Sequence, residues 1–416
     1  MQTALADFIR DTPDGREADA ILRACVHCGF CTATCPTYQL LGDDLDSPRG
    51  RIYLIKQVLE GQSPTAKTQL HLDRCLTCRS CETTCPSGVR FGRLIDIGRH
   101  VVDKCVPRST AEQAKRWTIR TGLLSAPLFG AAVTAGRLVK SLLPRELSRA
   151  IPERIAPGIW PAERHPRKML ALVGCVQGSL APNIDSAMAR VLDRVGVSLV
   201  QVAGGGCCGA LPYHLSEHEQ AVAIVKRNID AWWPHVERGA EAIVVTASGC
   251  GVMVKDYGHL LRLDAHYAAK AKTIADLARD TVEVVAAEWT RIAPKVAMDM
   301  GSRKVAFHSP CTLQHGMKLK GRVEEILHAL GLELTNVPDA HLCCGSAGTY
   351  SILQPELSAQ LKANKLAALE SGEPEVIATA NIGCLVHLAD GAHCPVRHWV
   401  ELLDARMVGG FRPPAA

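Results

Sequence analysis

The sequence predicts an α+β chain of several domains, in which a small helical domain at the N-terminus is followed by two α/β half-domains related by duplication. Three observations carry this prediction. Two similar cysteine runs stand in the first hundred residues, apolar runs alternate with helical stretches after residue 168, and the cysteine spacing of that later region occurs twice. The length of 416 residues is enough for two or three domains of about 150 residues each.

The two cysteine runs share the spacing C-x2-C-x2-C-x3-C-P. The first extends from Cys25 to Pro36 and the second from Cys75 to Pro86. This spacing is typical of bacterial ferredoxins with two [4Fe-4S] clusters, in which the fourth cysteine of each run ligates the other cluster. We therefore assign the ligands in crossed order: Cys25, Cys28, Cys31 and Cys85 to cluster 1, and Cys75, Cys78, Cys81 and Cys35 to cluster 2.

Structural zinc and disulfides explain these runs less well. Zinc sites use two C-x2-C pairs well apart, whereas here four cysteines stand in one run. The first fifteen residues contain Asp7, Arg10, Asp11 and Asp14, so they cannot form the apolar part of a secretory signal, and the thiols are expected in a reducing compartment. We expect a cytoplasmic protein, or one held peripherally on the inner face of the cytoplasmic membrane.

The first domain is expected to cover residues 1–104 and to be α-helical. Between the cysteine runs, apolar residues at helical spacing predict a helix over Ile52–Gly61 that ends at the glycine. This insertion is longer than a minimal ferredoxin needs. The domain resembles the α-helical ferredoxin domains of the succinate dehydrogenase and heterodisulfide reductase families.

Residues 105–167 are expected to form a basic, partly helical linker. Residues 104–168 hold thirteen Lys and Arg against four Glu, a net charge of +9 where the whole chain has +5. The longest apolar run, Gly122–Gly136, is shorter than the roughly 18 to 20 residues that a spanning helix needs. Two interpretations stay open: the segment lies on an anionic membrane or an acidic partner, or it is a solvated linker. Nucleic acid is disfavoured because few aromatic residues accompany the charge.

Residues 168–303 and 304–416 are expected to form two α/β repeats. Helical patterns over Asn183–Val195 and Glu217–Trp233 separate short apolar runs, which favours a sheet of parallel strands. The runs predict four strands: Met169–Val173, Ala242–Thr246, Val305–His308 and Val376–Thr379.

The cysteines of these repeats indicate a gene duplication. In each repeat a single cysteine is followed 32 positions later by Cys-Cys-Gly, and the equivalent cysteines are offset by 136, 136 and 134 residues. Because the first and last cysteine of each repeat follow apolar runs, we expect them beyond the carboxyl ends of strands, where open α/β sheets bind ligands. The candidate additional metal ligands are Cys175, Cys207, Cys208 and Cys250 in the first repeat, and Cys311, Cys343, Cys344 and Cys384 in the second.

This pattern resembles the cysteine-rich CCG domain of heterodisulfide reductase and its relatives, which implies a further iron–sulfur cluster or a zinc ion. The fullest form of that pattern ends in C-x2-C, whereas Met253 and His387 occupy the final position here. A five-cysteine cluster is therefore not expected. Four thiolates per repeat leave open a cubane cluster, a zinc ion, a redox disulfide or thiols that only pack; His387 is a candidate ligand, and His308 is assigned no role.

A two-cluster module ahead of two CCG repeats resembles the family of glycolate oxidase (glycolate dehydrogenase) iron–sulfur subunits. The resemblance implies a subunit that passes electrons from flavoprotein (FAD) subunits, where glycolate becomes glyoxylate, toward the quinone pool. No G-x-G-x-x-G motif follows a predicted strand, so we expect no flavin and no catalytic residue on this chain. The alternatives are the iron–sulfur subunit of anaerobic glycerol-3-phosphate dehydrogenase and a heterodisulfide-reductase-like thiol/disulfide oxidoreductase.

Cys105 and Cys394 belong to neither cysteine pattern. We expect both to be ordinary buried thiols.

Overall fold

The computed structural model describes residues 1–140, 153–297 and 303–407. In this part of the chain, a helical N-terminal domain and a pair of helices precede two four-stranded parallel sheets. The predicted fold class, a helical domain followed by two duplicated α/β half-domains, is confirmed.

The N-terminal domain consists of short helices joined by the two cysteine loops. Its helices are α1 (Asp7–Arg10), α2 (Pro13–Ala24), α3 (Pro36–Leu41), α4 (Pro48–Leu59), α5 (Ala66–Asp73), α6 (Ser80–Thr84) and α7 (Phe91–Cys105). The predicted central helix is confirmed as α4; it begins at Pro48, where Ser47 Oγ accepts a hydrogen bond from the Gly50 amide at 3.0 Å. Helix α7 packs closely on α4, because a Cβ atom at Gly98 would lie 2.6 Å from Ile55.

Two helices follow, α8 (Thr110–Leu124) and α9 (Ala126–Val139), and they meet at an angle of 97°. The apolar run Gly122–Gly136 is broken at Ser125, whose side chain accepts a hydrogen bond from the Leu128 amide and starts the second helix. No single helix in the described ranges is long and apolar enough to cross a membrane; the bent pair meets that test of length and composition only when both helices are counted together. The basic residues Arg145 and Arg149 lie outside the described residues.

Each repeat contains one parallel sheet of the same topology. The strand orders are β2-β1-β3-β4 and β6-β5-β7-β8. The strands are β1 (Arg167–Ala171), β2 (Val197–Gln201), β3 (Ile243–Val245), β4 (Ala278–Asp280), β5 (Lys304–His308), β6 (Glu333–Leu334), β7 (Val376–Thr379) and β8 (Val396–His398). All four strands predicted from apolar runs are present, as β1, β3, β5 and β7.

Helices flank both sheets, and the two that the sequence predicted in the first repeat are confirmed. In the first repeat the helices are Gln177–Leu180, Asn183–Arg194, Ala210–His214, His218–Glu237, Ser248–Lys255, Tyr257–Leu260, Ala268–Leu277, Thr281–Ala287 and Trp289–Ile292. In the second repeat they are a π-helical turn Thr312–Gly316, then Arg322–Ala329, Tyr350–Leu353, Pro355–Glu370, Ile382–Ala389 and Trp399–Arg406.

The two repeats share one apolar core. Leu192 and Val244 of the first repeat belong to the same buried cluster as Ile377 and Trp399 of the second. At its edge Asp404 pairs with Arg190 and with a second arginine of the same helix, at 2.6 Å in both cases. The repeats therefore form one body, against which the N-terminal domain packs.

The N-terminal domain contacts both repeats through loops that hold cysteines. Asp256 of the first repeat pairs with Arg79 at 3.3 Å and with Arg93 at 2.6 Å. Thr83 Oγ1 lies 3.0 Å from His315 Nδ1 of the second repeat. A small apolar cluster closes the junction with the second repeat, and its buried members are Leu76, Cys311, Cys343, Tyr350, Leu357 and Leu361.

Candidate metal centres

The two cysteine runs surround two adjacent cavities. The first measures about 430 Å³ including the part open to solvent, and its lining contains all the cysteines assigned to cluster 1. The second measures about 370 Å³, and its lining contains all those assigned to cluster 2. Cys81 lines both. The fold thus brings Cys85 to the first run and Cys35 to the second, in the crossed arrangement, while ligation by these eight residues stays a prediction.

The backbone of both cysteine loops has the same unusual shape. His27 and Gly29 in the first loop, and Thr77 and Arg79 in the second, all have positive φ, between 53° and 85°. Left-handed residues of this kind turn backbone N–H groups toward one side of a loop, which makes a concave site for anions. The Thr77 amide, for example, donates to Cys75 Sγ at 3.4 Å. Three of these residues are not glycine, so the fold holds strain in these loops, as is common at functional sites.

The residues of both cavities fit anionic iron–sulfur clusters. Burial raises the pKa of Cys78 and of Cys81, and it raises the pKa of Cys31 to about 11. Thiolates are therefore unfavourable here without a compensating cation. A metal centre supplies that charge, because coordination deprotonates a thiol outright.

Cations lie close to each cavity, and the cavities differ in exposure. Arg51, only 1% exposed, places Nη1 4.0 Å from Cys35 Sγ and pairs with buried Asp46 at 3.1 Å. Arg49 lines the first cavity, where Cys28 is exposed and Phe30 is 61% exposed. The first cavity thus opens at the surface, whereas the second lies against the repeats.

The four cysteines of the first repeat meet beyond the ends of β1 and β3. The thiol of Cys175 lies close enough to that of Cys207, and the thiol of Cys208 to those of Cys207 and Cys250, for each to shift the pKa of its neighbour. Gly209 has φ of 90° and donates its N–H to Cys207 Sγ at 3.4 Å. Hydrogen bonds from Cys175 and Cys208 lower the pKa of Cys207, so this thiol is the one in the group most readily ionised.

The second repeat reproduces this arrangement. The thiols of Cys311 and Cys343, of Cys343 and Cys344, and of Cys344 and Cys384 lie close enough to shift each other's pKa. Gly345 has φ of 89° and donates its N–H to Cys343 Sγ at 3.4 Å. A Cβ atom at this glycine would lie 2.7 Å from a backbone oxygen, so position 345 must be glycine.

The second ferredoxin-type cavity adjoins the cysteines of the second repeat. Cys78 and Cys311 are close enough that ionisation of one thiol disfavours ionisation of the other. Both belong to the apolar cluster at the junction. Sequence reasoning did not anticipate this contact, since nothing in the spacing states which repeat faces which cluster. The candidate centres form a row from the surface, through the two cavities, to the second repeat.

The structure brings forward a histidine to which the sequence assigned no role. Nε2 of His387, the candidate ligand, lies 3.3 Å from Ser358 Oγ. His308 instead has a ring nitrogen within 4.8 Å of the sulfurs of Cys344 and Cys384. Burial lowers the pKa of His308 to about 3, so the ring is neutral, which is the form that binds metals.

Of the two cysteines outside the patterns, one departs from expectation. Cys105 is exposed and Cys394 is half-buried. The expectation of a buried thiol is therefore wrong for Cys105, because it is the last residue of α7 and lies at the protein surface.

Comparison with known domain families defines the class of protein. A 4Fe-4S dicluster domain matches residues 21–89, and a cysteine-rich domain, CCG, matches residues 169–255 and 305–389. The chain is thus an iron–sulfur protein in which a dicluster domain precedes two cysteine-rich domains. The match to a 4Fe-4S dicluster domain confirms the expected [4Fe-4S] cofactors.

Individual relatives define the family more closely. The chain is 54% identical to the glycolate oxidase iron-sulfur subunit of Escherichia coli (strain K12), over 97% of this chain and 98% of that protein. It is 28% identical to the probable glycolate oxidase iron-sulfur subunit of Bacillus subtilis (strain 168), over 88% of each. It is also 31% identical to lactate utilization protein A of Bacillus velezensis, over 58% of this chain and 100% of that protein.

The chain belongs to the family of glycolate oxidase iron–sulfur subunits. As a member, it is the electron-transferring subunit of an oxidoreductase complex that contains other subunits.

Proposed function

We propose that this chain takes electrons from a flavoprotein (FAD) partner on which glycolate is oxidised to glyoxylate, and passes them toward quinone. Cluster 1 receives the electrons, and cluster 2 passes them to the second repeat. The observation that supports this direction is the difference in exposure, since Cys28 is exposed while Cys78 lies against Cys311.

The proposal assigns each cysteine set a part in the relay. The eight cysteines of the two runs hold the clusters, in the crossed order that the two cavities suggest. The four thiols in each CCG repeat supply ligands for a further iron–sulfur cluster or a zinc ion. This chain supplies ligands, neighbouring charge and shielding from water, and the partner supplies the hydride chemistry of the flavin.

The surface around cluster 1 suits a partner that docks over it. Val26 and Phe30, which flank cluster ligands, are 67% and 61% exposed, and Arg49 lies beside them in the cavity lining. Exposed apolar residues next to a redox centre allow a partner to approach closely. A flavin docked here would be nearer to cluster 1 than to any other centre on the chain.

The helices α8 and α9 support a peripheral position on the inner face of the membrane. Trp117, Leu128 and Leu138 are 59%, 52% and 78% exposed, in a segment that is strongly basic. Exposed apolar side chains combined with Lys and Arg favour binding to the surface of an anionic membrane. Binding to vesicles with and without anionic lipid tests this part separately.

The complex itself provides the main test. The chain is purified anaerobically with its associated subunits, and iron, sulfide, zinc and flavin are counted. We expect a flavoprotein to copurify, and we expect glycolate to reduce both an artificial dye and a quinone. Replacement of Cys28 by Ser should abolish quinone reduction while the flavoprotein retains its bound flavin.

Three results would contradict the proposal. The first is a chain that purifies without any flavoprotein, and the second is quinone reduction that survives the loss of cluster 1. The third is reduction of disulfide substrates by the chain alone that is lost when Cys343 and Cys344 are replaced, which would support the thiol/disulfide oxidoreductase. Glycolate, lactate and glycerol 3-phosphate are compared as electron donors.

A further inference from the structure

A buried imidazole without a protein partner stands at the carboxyl end of β5. Only 1% of His308 is exposed, and neither Nδ1 nor Nε2 has a hydrogen-bond partner among the described residues. Buried polar atoms in native proteins are nearly always paired, so a ring with two unpaired nitrogens indicates a ligand from outside the chain.

The surroundings of this ring identify the class of that ligand. One ring nitrogen of His308 and the sulfurs of Cys344 and Cys384 all lie within 4.8 Å of one another. Three atoms at that spacing can contact a single metal ion, because zinc lies about 2.3 Å from sulfur and about 2.0–2.1 Å from nitrogen. Asn381 Nδ2 donates to Cys384 Sγ at 3.5 Å, which orients that thiol.

We propose that His308 is a metal ligand in the second repeat, in a mixed imidazole and thiolate site with Cys344 and Cys384. This inference rests on the proposed ligation of a metal by the CCG cysteines. The metal is one that accepts both donor types, either the iron of a cluster or zinc. The first repeat lacks this ligand, because Leu172 stands at the equivalent position, 136 residues earlier.

The proposal makes the two repeats chemically different. Imidazole is neutral where thiolate is negative, and replacement of thiolate by imidazole raises the reduction potential of an iron–sulfur centre. The imidazole-bearing repeat is the one that lies beside Cys78 and cluster 2. If the centre contains iron, it is therefore the one better suited to accept electrons from cluster 2.

The test uses the full-length chain, purified anaerobically. Nitrogen coordination is measured by pulsed electron paramagnetic resonance for an iron centre and by X-ray absorption at the zinc edge for zinc. The variants are His308→Leu, which copies the first repeat, His308→Cys, and the control His387→Met, which also copies the first repeat. Metal retention is measured against a chelator.

We expect the wild type and His387→Met to show imidazole coordination in the second repeat. His308→Leu should lose that signal and bind the metal at least about tenfold more weakly. His308→Cys should recover the metal without the nitrogen signal, because thiolate can replace imidazole as a ligand.

Two results would overturn the inference. One is unchanged metal retention and nitrogen coordination in His308→Leu. The other is the absence of nitrogen coordination in the wild-type centre, which needs no variant and so does not depend on variant folding. If the CCG cysteines bind no metal at all, the outcome is different. No metal beyond the two clusters would then be found, and Cys344→Ser and Cys384→Ser would leave the metal content unchanged.

Discussion

Thr83 Oγ1 and His315 Nδ1 lie 3.0 Å apart, and this contact joins the helix of Cys81 to the turn that follows Cys311. Thr83 and His315 are 232 positions apart in the sequence. The contact fixes the second cysteine run against the second repeat. We expect electron transfer between cluster 2 and the second repeat to depend on this fixed packing.

The ion pairs at Asp256 hold the second cysteine loop to the first repeat. Asp256→Asn removes the partner of Arg79 and Arg93, whose side chains are 18% and 13% exposed. We expect a loss of about 1–3 kcal/mol in the free energy of unfolding, because two poorly solvated cations lose their carboxylate. The measurement is the thermal midpoint of the anaerobic protein.

The matched control for this change is Asp276→Asn. Asp276 pairs with Lys272 on a helix surface, where the two side chains are 64% and 74% exposed, so its removal should have little effect. Equal midpoints for wild type and Asp256→Asn would show that the loop does not depend on this contact.

The crossed ligand assignment predicts which cluster each cysteine holds. Cys85→Ser should remove the signal of cluster 1 and leave that of cluster 2, and Cys35→Ser should do the reverse. Each variant should lose about half of the iron of the two clusters, read by iron analysis and electron paramagnetic resonance. Cys105→Ser, at an exposed cysteine outside both runs, should lose none. Loss of cluster 2 in Cys85→Ser, or of cluster 1 in Cys35→Ser, would refute the crossed order.

We expect Arg51, whose Nη1 lies 4.0 Å from Cys35 Sγ, to tune the potential of cluster 2. Arg51→Lys keeps the charge but cannot keep the separate contacts to Asp46, to Thr37 and to the backbone of His71. We expect the reduction potential of cluster 2 to fall by roughly 40 mV, which corresponds to the loss of one hydrogen bond of about 1 kcal/mol to the ligand sulfur.

Potentiometric titration distinguishes the two clusters in this variant. The potential of cluster 1 should stay constant. Arg74→Lys, at the other arginine that pairs with Asp46, should leave the potential of cluster 2 nearly unchanged, because the contact to Cys35 remains. A shift of equal size in both variants would assign the effect to Asp46.

The buried carboxyl of Asp185 should make the stability of the protein depend on pH. Burial raises the pKa of this carboxyl from 3.8 to about 7, although Thr246 and Gln177 donate hydrogen bonds to it. Between these pH values the folded state holds a proton that the unfolded state has released, so stability falls as pH rises and levels off above about 7. Asp185→Asn removes this effect.

The expected difference is measurable near neutral pH. From pH 6 to pH 8, wild type should lose about 1 kcal/mol of stability relative to Asp185→Asn, seen as a change in the gap between their thermal midpoints. Asp19→Asn is the control, since hydrogen bonding to Arg23 lowers the pKa of Asp19 and the group stays ionised throughout this range. A gap that does not change with pH would show that Asp185 is already ionised at pH 6.

The sequence by itself determined the parts of this protein that depend on local spacing. Three cysteines, each separated from the next by two residues, define a cluster loop. A short apolar run such as Val376–Thr379 defines a buried strand, and the offset of 136 residues defines the duplication. Those features depend on neighbours within a few residues, or on self-similarity, and both can be read directly from the sequence.

Only the tertiary structure decided how these parts meet. His308 and Cys384 come together because β5 and β7 pair in the sheet, and His387 meets Ser358 of another helix. The contact of Cys78 with Cys311 likewise depends on the packing of whole domains. Side chains far apart in the chain meet according to the sum of many packing contacts, and no single spacing in the sequence specifies that sum.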